Sequence, residues 1–66
     1  MGITVNGAER RIAAGTTLAA LIDSLGLAGK RLAVEVNGMV VPRSVHATHE
    51  ISNGDRVEVV HAIGGG

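Results

Sequence analysis

Thr17-Leu18-Ala19-Ala20-Leu21-Ile22-Asp23-Ser24-Leu25-Gly26 is the stretch on which the fold turns. Leu18, Leu21, Ile22 and Leu25 stand at i, i+3, i+4 and i+7, so they form one apolar stripe along a helix. The spacing predicts a helix over 18–25. Thr17 precedes the stripe, where its hydroxyl can accept from an amide that the first turn leaves unpaired. Gly26 follows it, where a left-handed residue closes a helix readily. Asp23 and Ser24 fall on the wet side. A helix this short is marginal on its own and must lay its stripe on another apolar layer.

The flanking segments supply that layer. On the N-terminal side Ile3-Thr4-Val5 alternates as a half-buried strand does, and Asn6-Gly7 is a strong signal for a tight hairpin turn. The return strand is expected over 9–12. Arg10 shares parity with Ile12, which places it at the sheet rim with its stem packed and its head in water. Ala13-Ala14-Gly15-Thr16 breaks the pattern before the helix.

On the C-terminal side Gly29-Lys30-Arg31 is a turn. Leu32-Ala33-Val34-Glu35-Val36 is a third strand, whose valines predict a largely buried position. Asn37-Gly38 repeats the hairpin signal and leads into the short strand Met39-Val40-Val41, which Pro42 ends. Residues 43–50 are polar and irregular, with one helical turn expected from Ser44. Ile51 is a lone apolar anchor, and Asn53-Gly54-Asp55 is a turn. The last strand is expected over 56–63. Its alternation holds as far as Val59 and then fails, because Val60, Ala62 and Ile63 put apolar groups on both faces. Gly64-Gly65-Gly66 follow.

Strand, strand, helix, strand, short strand, strand predicts a two-layer α+β domain. The first and last strands are both strongly apolar and are expected to pair in the middle of a mixed sheet. That arrangement is the β-grasp, or ubiquitin-like, fold: four to five strands packed on one helix. Residues 1–63 are read as the domain and 64–66 as a flexible glycine tail.

Composition bounds what such a domain can do. The chain has 66 residues and no Cys, Phe, Tyr or Trp. A single small core must be built from Ile, Leu, Val, Ala and Met39, and no side-chain thiolate is present to act as nucleophile or metal ligand. With 45% hydrophobic residues and zero formal charge, the chain is expected to fold and has no general field for gripping nucleic acid. Arg10-Arg11 and Lys30-Arg31 read as solvated surface. Nothing resembles a signal peptide or a membrane span, which gives a cytoplasmic expectation. Met1-Gly2 lacks a Ser or Thr at position 6 for myristoylation. His46 and His49 lie three apart, but structural zinc wants four ligands, so both are expected to be surface imidazoles and no metal is expected. His61 has no nucleophile or carboxylate placed with it by spacing.

Three segments together carry a resemblance: Asn37-Gly38-Met39-Val40-Val41-Pro42-Arg43, Asn53-Gly54-Asp55-Arg56-Val57-Glu58-Val59-Val60, and Gly64-Gly65-Gly66. With this length and element order, the chain resembles the sulfur carrier family of thiamine biosynthesis, the ThiS family, from first strand to last residue. The resemblance implies a carrier without catalytic residues of its own. An E1-like adenylating enzyme of the ThiF type uses ATP to convert the Gly66 carboxylate to an acyl-adenylate. Sulfur drawn from cysteine through a desulfurase then displaces AMP. The resulting thiocarboxylate donates its sulfur to a thiazole synthase of the ThiG type. No cofactor is implied on the carrier itself, and neither nucleic acid nor membrane is among its implied partners.

Physical chemistry agrees with that assignment. A carboxylate is a poor electrophile until activated, whereas a thiocarboxylate is a good nucleophile that needs no side-chain thiol beside it. Gly64, Gly65 and Gly66 extend to roughly 10 Å at about 3.3–3.6 Å per residue. Lacking Cβ atoms, they can thread a narrow slot. Val60, Ala62 and Ile63 are read as an apolar patch that docks onto partners beside the tail, with Arg43 at its rim.

The bland reading of the glycines is a frayed end, and the bland reading of the patch is core filling. The sister reading is the small subunit of molybdopterin synthase, from which the Val41-Pro42-Arg43 region departs. A β-grasp binding module would show a basic face and indifference to the glycines. A ubiquitin-type modifier would show covalent conjugates.

Overall fold

The computed structural model describes residues 1–61. Within them lie β1 (Gly2–Val5), β2 (Ala8–Arg11), α1 (Leu18–Ser24), β3 (Leu32–Val36), β4 (Met39–Val40), a 3₁₀ turn (Arg43–Val45) and β5 (Arg56–His61). The helix is the one expected, one residue shorter, with Leu25 as its C-cap and Gly26 left-handed at φ 75°. The return strand and the short strand begin and end within one residue of expectation. The single helical turn starts at Arg43 instead of Ser44.

The five strands form one sheet in the order β2-β1-β5-β3-β4. β1 and β5 run parallel in its middle, with Val5 beside Val57, and every other neighbouring pair is antiparallel. This is the mixed β-grasp sheet that the element order predicts. Ile3 and Val5, Val34 and Val36, and Val57 and Val59 bury one face of it against Leu18, Leu21 and Ile22 of α1, with Ile51 closing the layer. The opposite face carries Thr4, Glu35, Arg56, Glu58 and Val60, and among the described residues no helix covers it. β3 therefore alternates, with Val34 and Val36 buried and Ala33 exposed, because only one face of the sheet is covered.

Residues 43–50 hold the start of the helix. Thr17 Oγ1 accepts from the amide of Ala20, as the sequence implies. The amides of Leu18 and Ala19, which helix geometry leaves unpaired, donate to the carbonyls of His49 and His46 at 2.9 and 3.0 Å. This explains a departure from expectation. His46 is 8% exposed, not a surface imidazole, and its Nε2 lies 2.9 Å from the carbonyl oxygen of Val41. The segment turns inward to cap α1 and carries His46 with it.

Met39 also departs, being 74% exposed instead of core. It shares the helix-facing side with Val36, but β4 is an edge strand of two residues that the helix does not cover. Met1, Leu25, Leu27 and Leu32 pack around the core in its place. Arg10 is exposed on β2, the other edge, opposite Ile3, which agrees with a rim position.

Candidate functional site

β5 dominates the site because it is the central strand and directly precedes residues 62–66 in sequence. Its Val57 and Val59 are locked into the core, while Arg56, Glu58 and Val60 rise on the open face. Val60 is 55% exposed and lies directly across from Ala33 on β3, so two small apolar groups adjoin there. Glu58 and Glu35 face each other one step further along the strands, and Glu58 Oε1 lies 3.7 Å from Arg56 Nε. The open face near Val60 is thus apolar at one point and charged beside it.

Of the residues singled out from sequence, Val60 is on this surface. Arg43 is exposed at the 3₁₀ turn and lines a small recess with Ile22, Leu32 and His46 on the helix-covered side. Arg43 and Val60 therefore do not share a face. Ala62, Ile63, Gly64, Gly65 and Gly66 lie outside the described residues. His61 is exposed at the end of β5 and pairs with Leu32.

Two further residues hold the strand β5 without standing on its open face, and from the sequence they read only as turn formers. Asn6 and Asn37 each open an Asn-Gly turn at φ 50° and 53°. Each also reaches onto β5. The Asn6 amide N–H donates to the Val57 carbonyl at 2.9 Å, while its Oδ1 accepts from the Val59 amide at 2.8 Å and its Nδ2 donates to the Val59 carbonyl at 3.2 Å. On the other side and at the other end, the Asn37 amide donates to the Arg56 carbonyl at 2.8 Å. Its Oδ1 accepts from the Arg56 amide at 2.9 Å, and its Nδ2 donates to Asp55 Oδ1 at 3.0 Å. The only signal in the sequence is Asn, where Asp or Gly would also make the turn.

The chain offers little for chemistry on a bound small molecule. An open recess of about 470 Å³ over the first hairpin is lined by Gly2, Thr4, Glu9, Arg11 and Gly54. It lies at the end of the sheet where β5 begins, away from the residues toward which β5 leads. Among the described residues no group of three or more His, Asp or Glu side chains is placed to hold a metal ion. None of the helices described is long and apolar enough to cross a membrane.

A single helix on a mixed sheet with β1 and β5 parallel at its centre defines the class, a ubiquitin-like β-grasp domain. Comparison with known proteins narrows it. The ThiS family matches residues 3–66, and the chain belongs to that family of sulfur carrier proteins. It is 32% identical over 66 residues to the sulfur carrier protein ThiS of Escherichia coli, with both chains covered in full. The crystal structure of the thiamine biosynthesis protein ThiS from Geobacter metallireducens superposes with a TM-score of 0.85 at 32% identity, again covering both chains in full. A thiazole synthase of Paramagnetospirillum magneticum is 41% identical over 66 residues. The chain spans 20% of the length of the thiazole synthases it matches.

Proposed function

We propose that this chain is a cytoplasmic sulfur carrier of thiamine biosynthesis, that its reacting group is the carboxylate of Gly66, and that it performs no catalysis itself. An adenylating partner of the ThiF type binds ATP. The Gly66 carboxylate attacks the α-phosphorus, pyrophosphate leaves, and an acyl-adenylate forms. A donor sulfur at the level of hydrosulfide then attacks the acyl carbon and AMP leaves, giving the thiocarboxylate. Where a cysteine desulfurase delivers the sulfur as a persulfide, a second thiol must complete its release and is oxidised to a disulfide. Thiazole synthase accepts the sulfur. The carrier contributes a tail thin enough for a slot and contacts for docking, of which Val60, Ala62 and Ile63 are the proposed ones, with Arg43 as a separate contact.

The observation that carries this reading is the family membership over residues 3–66, which includes the glycines. Support for thiazole synthase as acceptor comes from the likeness of the chain to a portion of such enzymes. The test is accurate intact mass after incubation with ATP, the activating enzyme and a sulfur source, with fragmentation to locate the change, since oxidation of Met1 or Met39 has nearly the same nominal mass. Sulfur on Gly66 is the expected result. An unmodified terminus, with the enzyme active on another carrier, overturns the reading. In the same assay Gly65→Val is expected to fold normally and to lose activation entirely, because a branched side chain blocks the slot. Normal turnover by that variant would refute the steric account.

A further inference from the structure

We infer that Asn6 is a positioning residue for the tail: its side chain serves as one extra peptide unit that holds β5 in line up to Val59, the last point at which the strand is gripped from the β1 side. The inference rests on the carrier reading and adds a residue to it. In a parallel ladder the bonds from one strand alternate regularly between donor and acceptor along its neighbour. After Asn6 N–H donates to the Val57 carbonyl, the next bonds should run from the Val59 amide to the carbonyl of residue 6, and from the amide of residue 8 to the Val59 carbonyl. The chain cannot supply these groups, because it turns back at Asn6-Gly7 into β2. The Asn6 side chain supplies both: Oδ1 receives the Val59 amide at 2.8 Å and Nδ2 reaches the Val59 carbonyl at 3.2 Å. A side-chain amide is chemically a peptide group, so the ladder continues by one unit after its backbone has left.

Beyond Val59 the described strand is held from one side only, with Val60 opposite Ala33 and His61 opposite Leu32 on β3. Without the Asn6 grip, single-sided holding begins two residues earlier, after the Val57 carbonyl, and the strand that precedes the tail is less firmly ordered. Each additional residue that must be ordered when the tail enters a partner's slot costs conformational entropy equivalent to roughly ten-fold in rate. Docking through the open sheet face does not require that ordering, so the loss falls on kcat more than on KM.

The molecule contains its own control. Asn37 makes the same turn at the same φ and grips β5 at Arg56, the end remote from the tail. Asn6→Gly and Asn37→Gly both keep the left-handed turn and delete one grip. The experiment measures ATP-dependent activation by the adenylating enzyme for both variants, with amide hydrogen exchange of Val59 and Val57. Asn6→Gly is expected to lower kcat roughly ten-fold with KM within two-fold, and to speed exchange at Val59 but not at Val57. Asn37→Gly is expected to keep kcat. Asn6→Asp, which retains the acceptor for the Val59 amide, falls between wild type and Asn6→Gly and serves if the glycine variant does not fold. If the wild type itself is not activated, the carrier reading falls and this inference falls with it. If the wild type is activated and Asn6→Gly keeps its kcat, or both glycine variants lose kcat alike, the positioning role is overturned and the carrier reading stands.

Discussion

Val59 and Val60 are adjacent, carry the same side chain, and lie on the same strand, yet one is 8% exposed and the other 55%. The pleat sends Val59 under α1 and Val60 onto the open face, where Ala33 is its cross-strand neighbour. The pair shows what hydrophobicity alone does not: in this domain an apolar residue acquires its role from the sheet face it occupies. On the covered face it holds a small core together. On the open face it is accessible from solvent, and the strand that carries both precedes the residues that the proposed carrier function uses.

The contrast can be broken most forcefully by placing a charge on each residue in turn. Val59→Glu buries a carboxylate in the apolar cluster that includes Val34, Leu18 and Leu21. An uncompensated buried charge costs about 3–5 kcal/mol, which is comparable to the whole stability of a domain this size, about 3–10 kcal/mol. Thermal melting followed by circular dichroism is expected to show a largely unfolded protein. A cooperative melt near that of the wild type would mean that the helix-covered face is not the one described.

Val60→Glu is the matched change and should have little effect on the same measurement. Surface substitutions stay within about 0.5 kcal/mol, and Val60 is open to water. Its effect belongs in the binding assay: under the proposed carrier function, a carboxylate at position 60 is expected to weaken capture by an adenylating enzyme by at least about ten-fold. Calorimetry or fluorescence anisotropy reads this directly. Unaltered affinity with unaltered melting would leave Val60 as an ordinary exposed residue and overturn its proposed docking role.

The two valines also mark how far the sequence could be read. Periodicity gave the helix, the Asn-Gly pairs gave both hairpins, and the strongly apolar character of the first and last strands gave their pairing. The break in alternation after Val59 drew attention to Val60, which lies exposed on the open face. What could not be read were relations that only the assembled fold creates. His46 is carried into the interior because its carbonyl, not its ring, is needed at the start of α1. Met39 stays out because its strand is an edge of two residues. Asn6 and Asn37 looked like turn formers, since the β5 groups they bind are remote in sequence.

The smallest expected effect sharpens the same contrast from the polar side of the open face. Glu35 and Glu58 stand directly opposite each other there, and like charges in that relation repel. Arg56 lies near Glu58, but both side chains of that pair are well exposed, so it offsets little. Glu35→Gln keeps the shape and the Arg56–Glu58 contact while removing one charge. It is expected to stabilise the fold by about 0.2–1 kcal/mol, seen as a higher melting temperature at low salt that converges with the wild type as salt screens the repulsion. A lower melting temperature would show that Glu35 has a favourable partner that outweighs Glu58. Were the variant more stable yet poorer at capturing the adenylating enzyme, the facing carboxylates would belong with Val60 to the docking surface, a repulsion retained at the cost of stability because a partner relieves it.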